Sequence, residues 1–170
     1  MPVQGICQGG QPIISYNFGA NNKKRVKEAF FTQFKACIFF TTLCWAVLLL
    51  VPQIFAGMFS NDPDLIQYTS RALRIYIAGI FSIGFQSSCQ QSFMALGQAK
   101  ISLLLACLRK LILLIPLIFI LPLFLSDKVF AVFLAEPVSD ILAAAITTIT
   151  FLSRFNGILN QKDLSSPDIR

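Results

Sequence analysis

Long uncharged stretches dominate the chain. Residues 36–61 and 75–99 carry no Asp, Glu, Lys or Arg. Each run exceeds the roughly 20 apolar residues that a helix needs to cross the hydrocarbon core of a bilayer. A buried helix of a soluble protein is seldom apolar for so long. The pattern therefore predicts an all-α, polytopic membrane helix bundle with about five transmembrane helices.

The first segment, residues 1–20, is shorter and more polar than the rest. Read as a helix, it aligns Gln4, Gln8, Gln11 and Ser15 on one stripe. Such a stripe must face protein or water, because lipid offers it no hydrogen bonds. Pro12 is expected to bend this helix by removing a backbone bond. A polar external loop is the alternative, since Gly and Pro also punctuate loops. A second span is expected from about Phe30 to Phe59, with Lys35 snorkelling at one end. SNDPDL, residues 60–65, is a stop and restart signal. A third span follows from about Ile66 to Leu96, where Gly79, Ser82, Gln86 and Gln90 share a face and Ser87, Ser88 and Gln91 widen the polar zone. Gly97, Gln98 and Lys100 make a tight turn into a fourth span, Ile101 to Leu125, which carries Arg109, Lys110, Pro116 and Pro122. The fifth span, Val129 to Leu152, holds Glu136 and Asp140 one helical turn apart. From residue 153 the chain turns polar, and a frayed tail is expected.

Composition agrees with this reading. Hydrophobic residues make up 55% of the chain and charged ones 13%, against about 25% charged in a soluble domain. There is no histidine, which removes the commonest general base and metal ligand. The five cysteines form no CxxC pair and read as small apolar packing residues. No nucleophile-and-base motif, Walker loop or metal-ligand set is present. An enzyme, a metal and a cofactor are therefore not expected.

The net charge of +6 marks membrane sidedness rather than nucleic-acid binding. Lys23, Lys24, Arg25 and Lys27 form the densest basic cluster. Alternating spans place it on one side with Lys100, Arg154, Lys162 and Arg170, opposite the acidic 60–65 turn. The positive-inside rule assigns that basic side, and the C-terminus, to the cytoplasm. Met1 is then external, which is expected to require at least one preceding span.

Two polar stripes on separate helices, with prolines inside the spans, suggest a water-filled transporter cavity. Gln8, Gln11, Gln86 and Gln90 are the expected lining, with helix-to-helix bonding as the alternative. Glu136 and Asp140 could relay a proton or bind a cation. Otherwise Asp140 is expected to pair with Arg71, Arg74 or a backbone amide.

GGQPIISYNFGANNKKR, residues 9–25, resembles a signature of the multidrug and toxic compound extrusion (MATE) transporters, matching at Gln11, Pro12, Tyr16, Asn17, Gly19 and Ala20. FMALGQAKISLLLACLRKLILLIPLIFILP, residues 93–122, resembles the family's junction between its tenth and eleventh helices, through Gly97, Lys100, Ser102, Arg109, Pro116 and Pro122. AEPVSDILA, residues 135–143, is similar to the start of the twelfth, through Pro137 and Asp140. The resemblance implies two six-helix lobes that export bulky, often cationic organic compounds in exchange for H+ or Na+. It makes residues 1–155 a partial C-terminal transmembrane lobe and 156–170 a cytoplasmic tail. It implies as partners the lipid bilayer, the N-terminal lobe and small organic substrates, with no nucleic acid, in a bacterial-type plasma membrane. It makes Arg109 and Asp140 structural. The family's C-lobe carboxylates lie on the seventh and tenth helices. The tenth-equivalent span here has no Asp or Glu, so the coupling-ion site is expected outside this chain. A lipid-linked sugar flippase of the same superfamily, and a small membrane assembly subunit, are the other readings.

Overall fold

The computed structural model describes residues 2–58, 62–125 and 128–165, with side chains through Asn160. Parts of the expected acidic turn and of the tail, and Met1, lie outside the described residues. Every element among the described residues is helical.

Helix α1 (Pro2–Gly19) keeps Pro12 in its interior without breaking. Beyond its end, Asn21 takes a left-handed φ of 55°, a conformation that asparagine tolerates better than most residues. Asn22 then caps α2 (Lys23–Leu50), its side chain accepting from the Arg25 amide at 3.2 Å. Four basic residues crowd the first turns of α2, where the helix dipole disfavours them.

Val51 precedes Pro52 and ends α2, as a residue before proline is pushed out of the helical region. The short α3 (Pro52–Gly57) follows. Helix α4 (Pro63–Tyr76) starts with Asp62 as cap and Pro63 in its first turn, as the NDP sequence predicts. The third span is not one helix. A 3-10 turn, Ile77–Gly79, separates α4 from α5 (Ile80–Ala95). The break falls where Gly79 meets α8: a Cβ on Gly79 would lie 2.7 Å from the Pro137 Cα.

A Schellman motif closes α5. Gln98 N–H donates to the Phe93 carbonyl at 2.8 Å and Gly97 N–H to Met94 at 3.1 Å, with Gly97 at φ +75°. Helix α6 (Ala99–Cys107) runs through a π-helical segment, Leu108–Leu114, into α7 (Ile115–Phe124). Pro116 lies in the first turn of α7. A proline clashes with the carbonyl four residues back and lacks its own N–H, and the wider π turn relieves both. Helix α8 (Lys128–Ser165) contains Pro137.

Lys23–Leu50, Ala99–Phe124 and Lys128–Asn160 are each long and apolar enough to cross a membrane. The α6–α7 rod exposes Phe119, Leu123 and Phe124 broadly, as expected of a helix solvated by lipid. Helix α5 sits at the centre, against α1, α2 and α8. The core there is aromatic: Phe151 stacks within 4.6 Å of Phe30, 4.8 Å of Phe93 and 4.9 Å of Phe155. Cys7, Cys37 and Cys89 are fully buried and unbridged, in the packing role expected of them.

The expected frayed tail requires a correction. Helix α8 continues through Ser165, and Phe155, Ile158 and Leu159 join the core. Polar residues at 153, 154, 156 and 160 occupy the opposite face of an amphipathic helix end.

Candidate functional site

The π-helical segment brings two cations to α8. Arg109 Nε and Nη2 each lie 2.6 Å from Asp140 Oδ1. Nη2 is also 3.9 Å from Glu136 Oε1, and Lys110 Nζ is 3.6 Å from the same oxygen. Two positive and two negative groups thus balance. Asp140 is only 4% exposed, and burial of an unpaired charge in the membrane is costly. Among the described residues, neither of the expected partners on α4, Arg71 and Arg74, forms an ion pair with Asp140. Arg109 takes the carboxylate instead, because the widened turn carries it against α8. Glu136 and Asp140 therefore face cations rather than forming a free carboxylate pair.

The four glutamines are placed differently from one another. Gln8 is exposed and Gln11 half-buried on α1. Gln86 is 3% exposed inside the bundle. Gln90 ties α5 to α6: its amide donates to the Ser102 carbonyl at 3.3 Å, and the Ser102 hydroxyl donates back to the Gln90 carbonyl at 3.1 Å. For Gln90 the helix-bonding alternative describes the geometry.

The polar stripes do meet, through other members. A cavity of about 320 Å³ lies between α1, α2, α5 and the π segment. Gln4, Thr41, Ser87 and Arg109 supply its polar wall, with Phe40, Ile80 and Ile83 as apolar lining. Arg109 is its one charged lining group among the described residues, and the guanidinium is held by Asp140 from behind. Thr41 is not legible from sequence as a lining residue. It is a hydroxyl in an apolar run, donating to the Cys37 carbonyl at 2.9 Å. Gln4 and Ser87 belong to the stripes, but their register toward the cavity depends on how the helices pack. No group of three His, Cys, Asp or Glu side chains that could hold a metal occurs among the described residues.

The remaining family-signature residues have structural places. Asn17 Nδ2 donates to the Ile13 carbonyl at 2.8 Å, Tyr16 is 78% exposed, and Gly19 ends α1. Ser15 links α1 to α5, donating to the Ala95 carbonyl at 3.0 Å. Lys23 Nζ reaches Asn160 Oδ1 at 3.2 Å, and Arg154 and Gln98 line one small cavity. The junction of α1 and α2, the 97–100 turn and the end of α8 therefore lie together at one end of the bundle, as alternating spans require.

Comparisons with known proteins agree on one family. The MatE family model matches residues 1–120. The multidrug export protein MepA of Staphylococcus aureus (strain MSSA476) is 26% identical over 154 residues, covering 89% of this chain and 33% of its own length. MepA of Staphylococcus haemolyticus is 25% identical over 146 residues, covering 85% and 32%. The structure of the MATE multidrug transporter DinF-BH, solved as a complex, superposes with a TM-score of 0.84 at 33% identity, covering 94% of this chain and 35% of that one. An inward-facing MATE transporter of the MOP superfamily gives 0.85 at 17% identity, covering 97% and 38%. This chain thus spans about a third of the length of its relatives. Its multi-pass helical architecture, its signatures and these matches agree: the chain belongs to the MatE family of multidrug and toxic compound extrusion transporters, a family of transporters and not of enzymes.

Proposed function

We propose that this chain forms most of the C-terminal lobe of an exporter of organic compounds, in a bacterial-type plasma membrane with the basic start of α2 and the end of α8 in the cytoplasm. The order of its motifs supports the C-terminal placement, and its basic residues support the orientation. The lobe works by alternating access, rocking against an opposing lobe about a central site. Ion-coupled antiport follows from the family, with H+ or Na+ bound elsewhere: the two intramembrane carboxylates here are already occupied by Arg109 and Lys110.

The observation that carries this reading is the polar cavity at membrane depth lined by Gln4, Thr41, Ser87 and Arg109. A hydrogen-bonding wall whose one cation is paired with Asp140, beside aromatic and aliphatic residues, suits amphipathic organic molecules. Gln8 and Gln11 share the stripe of Gln4 on α1 and extend it toward the opposing lobe, while Gln90 ties α5 to α6 and Gln86 lies buried inside the bundle. A single cation already neutralised by Asp140 does not suit the pyrophosphate of a lipid-linked sugar.

A drug-accumulation assay of the whole transporter tests the proposal. Paired substitution Gln4→Leu and Ser87→Leu fills and dries the cavity, so cells should retain several drugs that the unaltered protein expels. Unchanged export of every compound tried contradicts it.

A further inference from the structure

A second, wider groove plays no part in that cavity. It runs between α1 and α2 and encloses about 730 Å³. Its walls change character along their length. At the loop end stand Asn17, Arg25 and Glu28; deeper in, Ile6, Ile13 and Ala36 line it. From Arg25 to Ala36 the helix rises about 16 Å. That is one leaflet, half of a hydrocarbon core about 30 Å thick. The groove therefore begins at a membrane surface and ends at mid-depth.

Arg25 and Glu28 are three residues apart on one face of α2. Both are exposed, and they form no ion pair with each other among the described residues. A positive and a negative group thus stand side by side at headgroup level. Below them the absence of side chains keeps the groove open. A Cβ on Gly9 would meet nothing within 4 Å, whereas one on Gly10 would collide with the Gln33 side-chain oxygen that forms the floor.

We propose that this groove binds one phospholipid with an ethanolamine headgroup. Arg25 takes the phosphate and Glu28 the ammonium, and one acyl chain lies over Gly9 and Gly10 toward Ile6. A phosphatidylglycerol headgroup has no ammonium and leaves Glu28 beside a phosphate. A choline headgroup has no N–H to donate. A transmembrane helix of a partner would continue across the bilayer, whereas the groove stops at its middle. Lys24 and Lys27, which favour anionic lipid generally, are not part of the lining.

Native mass spectrometry of the intact protein released from nanodiscs of equimolar phosphatidylethanolamine and phosphatidylglycerol reads this directly. The lipid most resistant to collisional removal should be phosphatidylethanolamine, favoured about fivefold, the scale of one exposed ion pair. Glu28→Gln should bring that ratio to about one. Arg25→Gln should lower retention of both lipids. Gly9→Leu points into open space, so it should remove the retained lipid without lowering the unfolding temperature. Equal retention of the two lipids by the unaltered protein, a preference that survives Glu28→Gln, or no retained lipid at all would each overturn the proposal. The last result is also what a partner helix seated in the groove would give. None of these readouts depends on drug export, so the lipid site and the transport reading succeed or fail separately.

Discussion

Arg109 and Asp140 hold each other 2.6 Å apart across two membrane helices that are 31 residues apart in the chain at this point. Both ends of the contact are fixed by backbone features: the π turn beneath Arg109 and the turn after Pro137 beneath Asp140. Removing one member leaves the other without its direct partner and upsets the balance of two cations and two carboxylates. Arg109→Leu or Asp140→Leu alone should cost about 3–5 kcal/mol, the usual penalty for breaking a buried pair. The double substitution should recover most of that loss, because an apolar pair packs where the ions stood. Unfolding temperatures of the three variants in one detergent check this. Additive losses in the double variant would mean that the ions do not interact.

Close helix crossings depend on two glycines. A Cβ at position 79 would press on the Pro137 backbone, and one at 84 on the Cys37 carbonyl at 3.0 Å. Backbone cannot swing aside as a long side chain can. Gly79→Ala and Gly84→Ala should therefore destabilise by about 1–3 kcal/mol through overpacking. Gly157→Ala, with nothing within 4 Å, should instead gain up to about 1 kcal/mol of helix propensity. Opposite signs in a thermal-unfolding series are the expected result.

The aromatic core should separate sharply from the lipid-facing surface. Phe151 is fully buried among Phe30, Phe93 and Phe155. Phe151→Ala should cost about 3–5 kcal/mol. Phe124→Ala, at 83% exposure, should leave helix packing unchanged. Denaturation of the two variants side by side measures the difference.

Gly97 supplies the left-handed residue of the α5–α6 turn at φ +75°. A side chain there costs about 1–2 kcal/mol in that conformation. Gly97→Ala should lower stability by that amount, and Gly97→Asn should fall between, since asparagine tolerates the region better. An unfolding series of the three proteins gives the order.

How far the sequence leads differs from element to element. Local chemistry marks the ends of helices well: Asp62 and Pro63 start α4, and Gly97 stops α5. The uncharged run over 75–99 cannot show that the third span breaks at Ile77–Gly79, because the cause is the contact of Gly79 with Pro137 on another helix. The same limit applies to the site. The stripes containing Gln4 and Ser87 are visible as polar faces, but which members turn to the cavity is decided by helix packing. Arg109 stands two turns into its span and Asp140 in the next, and the match between them needs the π turn that only the folded chain reveals. The helical end of α8 is hidden by polar residues that alternate with Phe155, Ile158 and Leu159.

The cavity itself offers the most direct measurement. Cys44 lines it, whereas Cys7, Cys37 and Cys89 are buried in packing and Cys107 lies on α6. In the whole transporter, with the other cysteines replaced by alanine, Cys44 should react with a small, water-soluble thiol reagent. A transported drug should slow that reaction about tenfold or more by occupying the space, as a ligand in about tenfold excess over its Kd does. Modification should also stop export. A Cys44 that reacts at the same rate with and without every transported drug, and whose modification leaves export intact, would contradict the account.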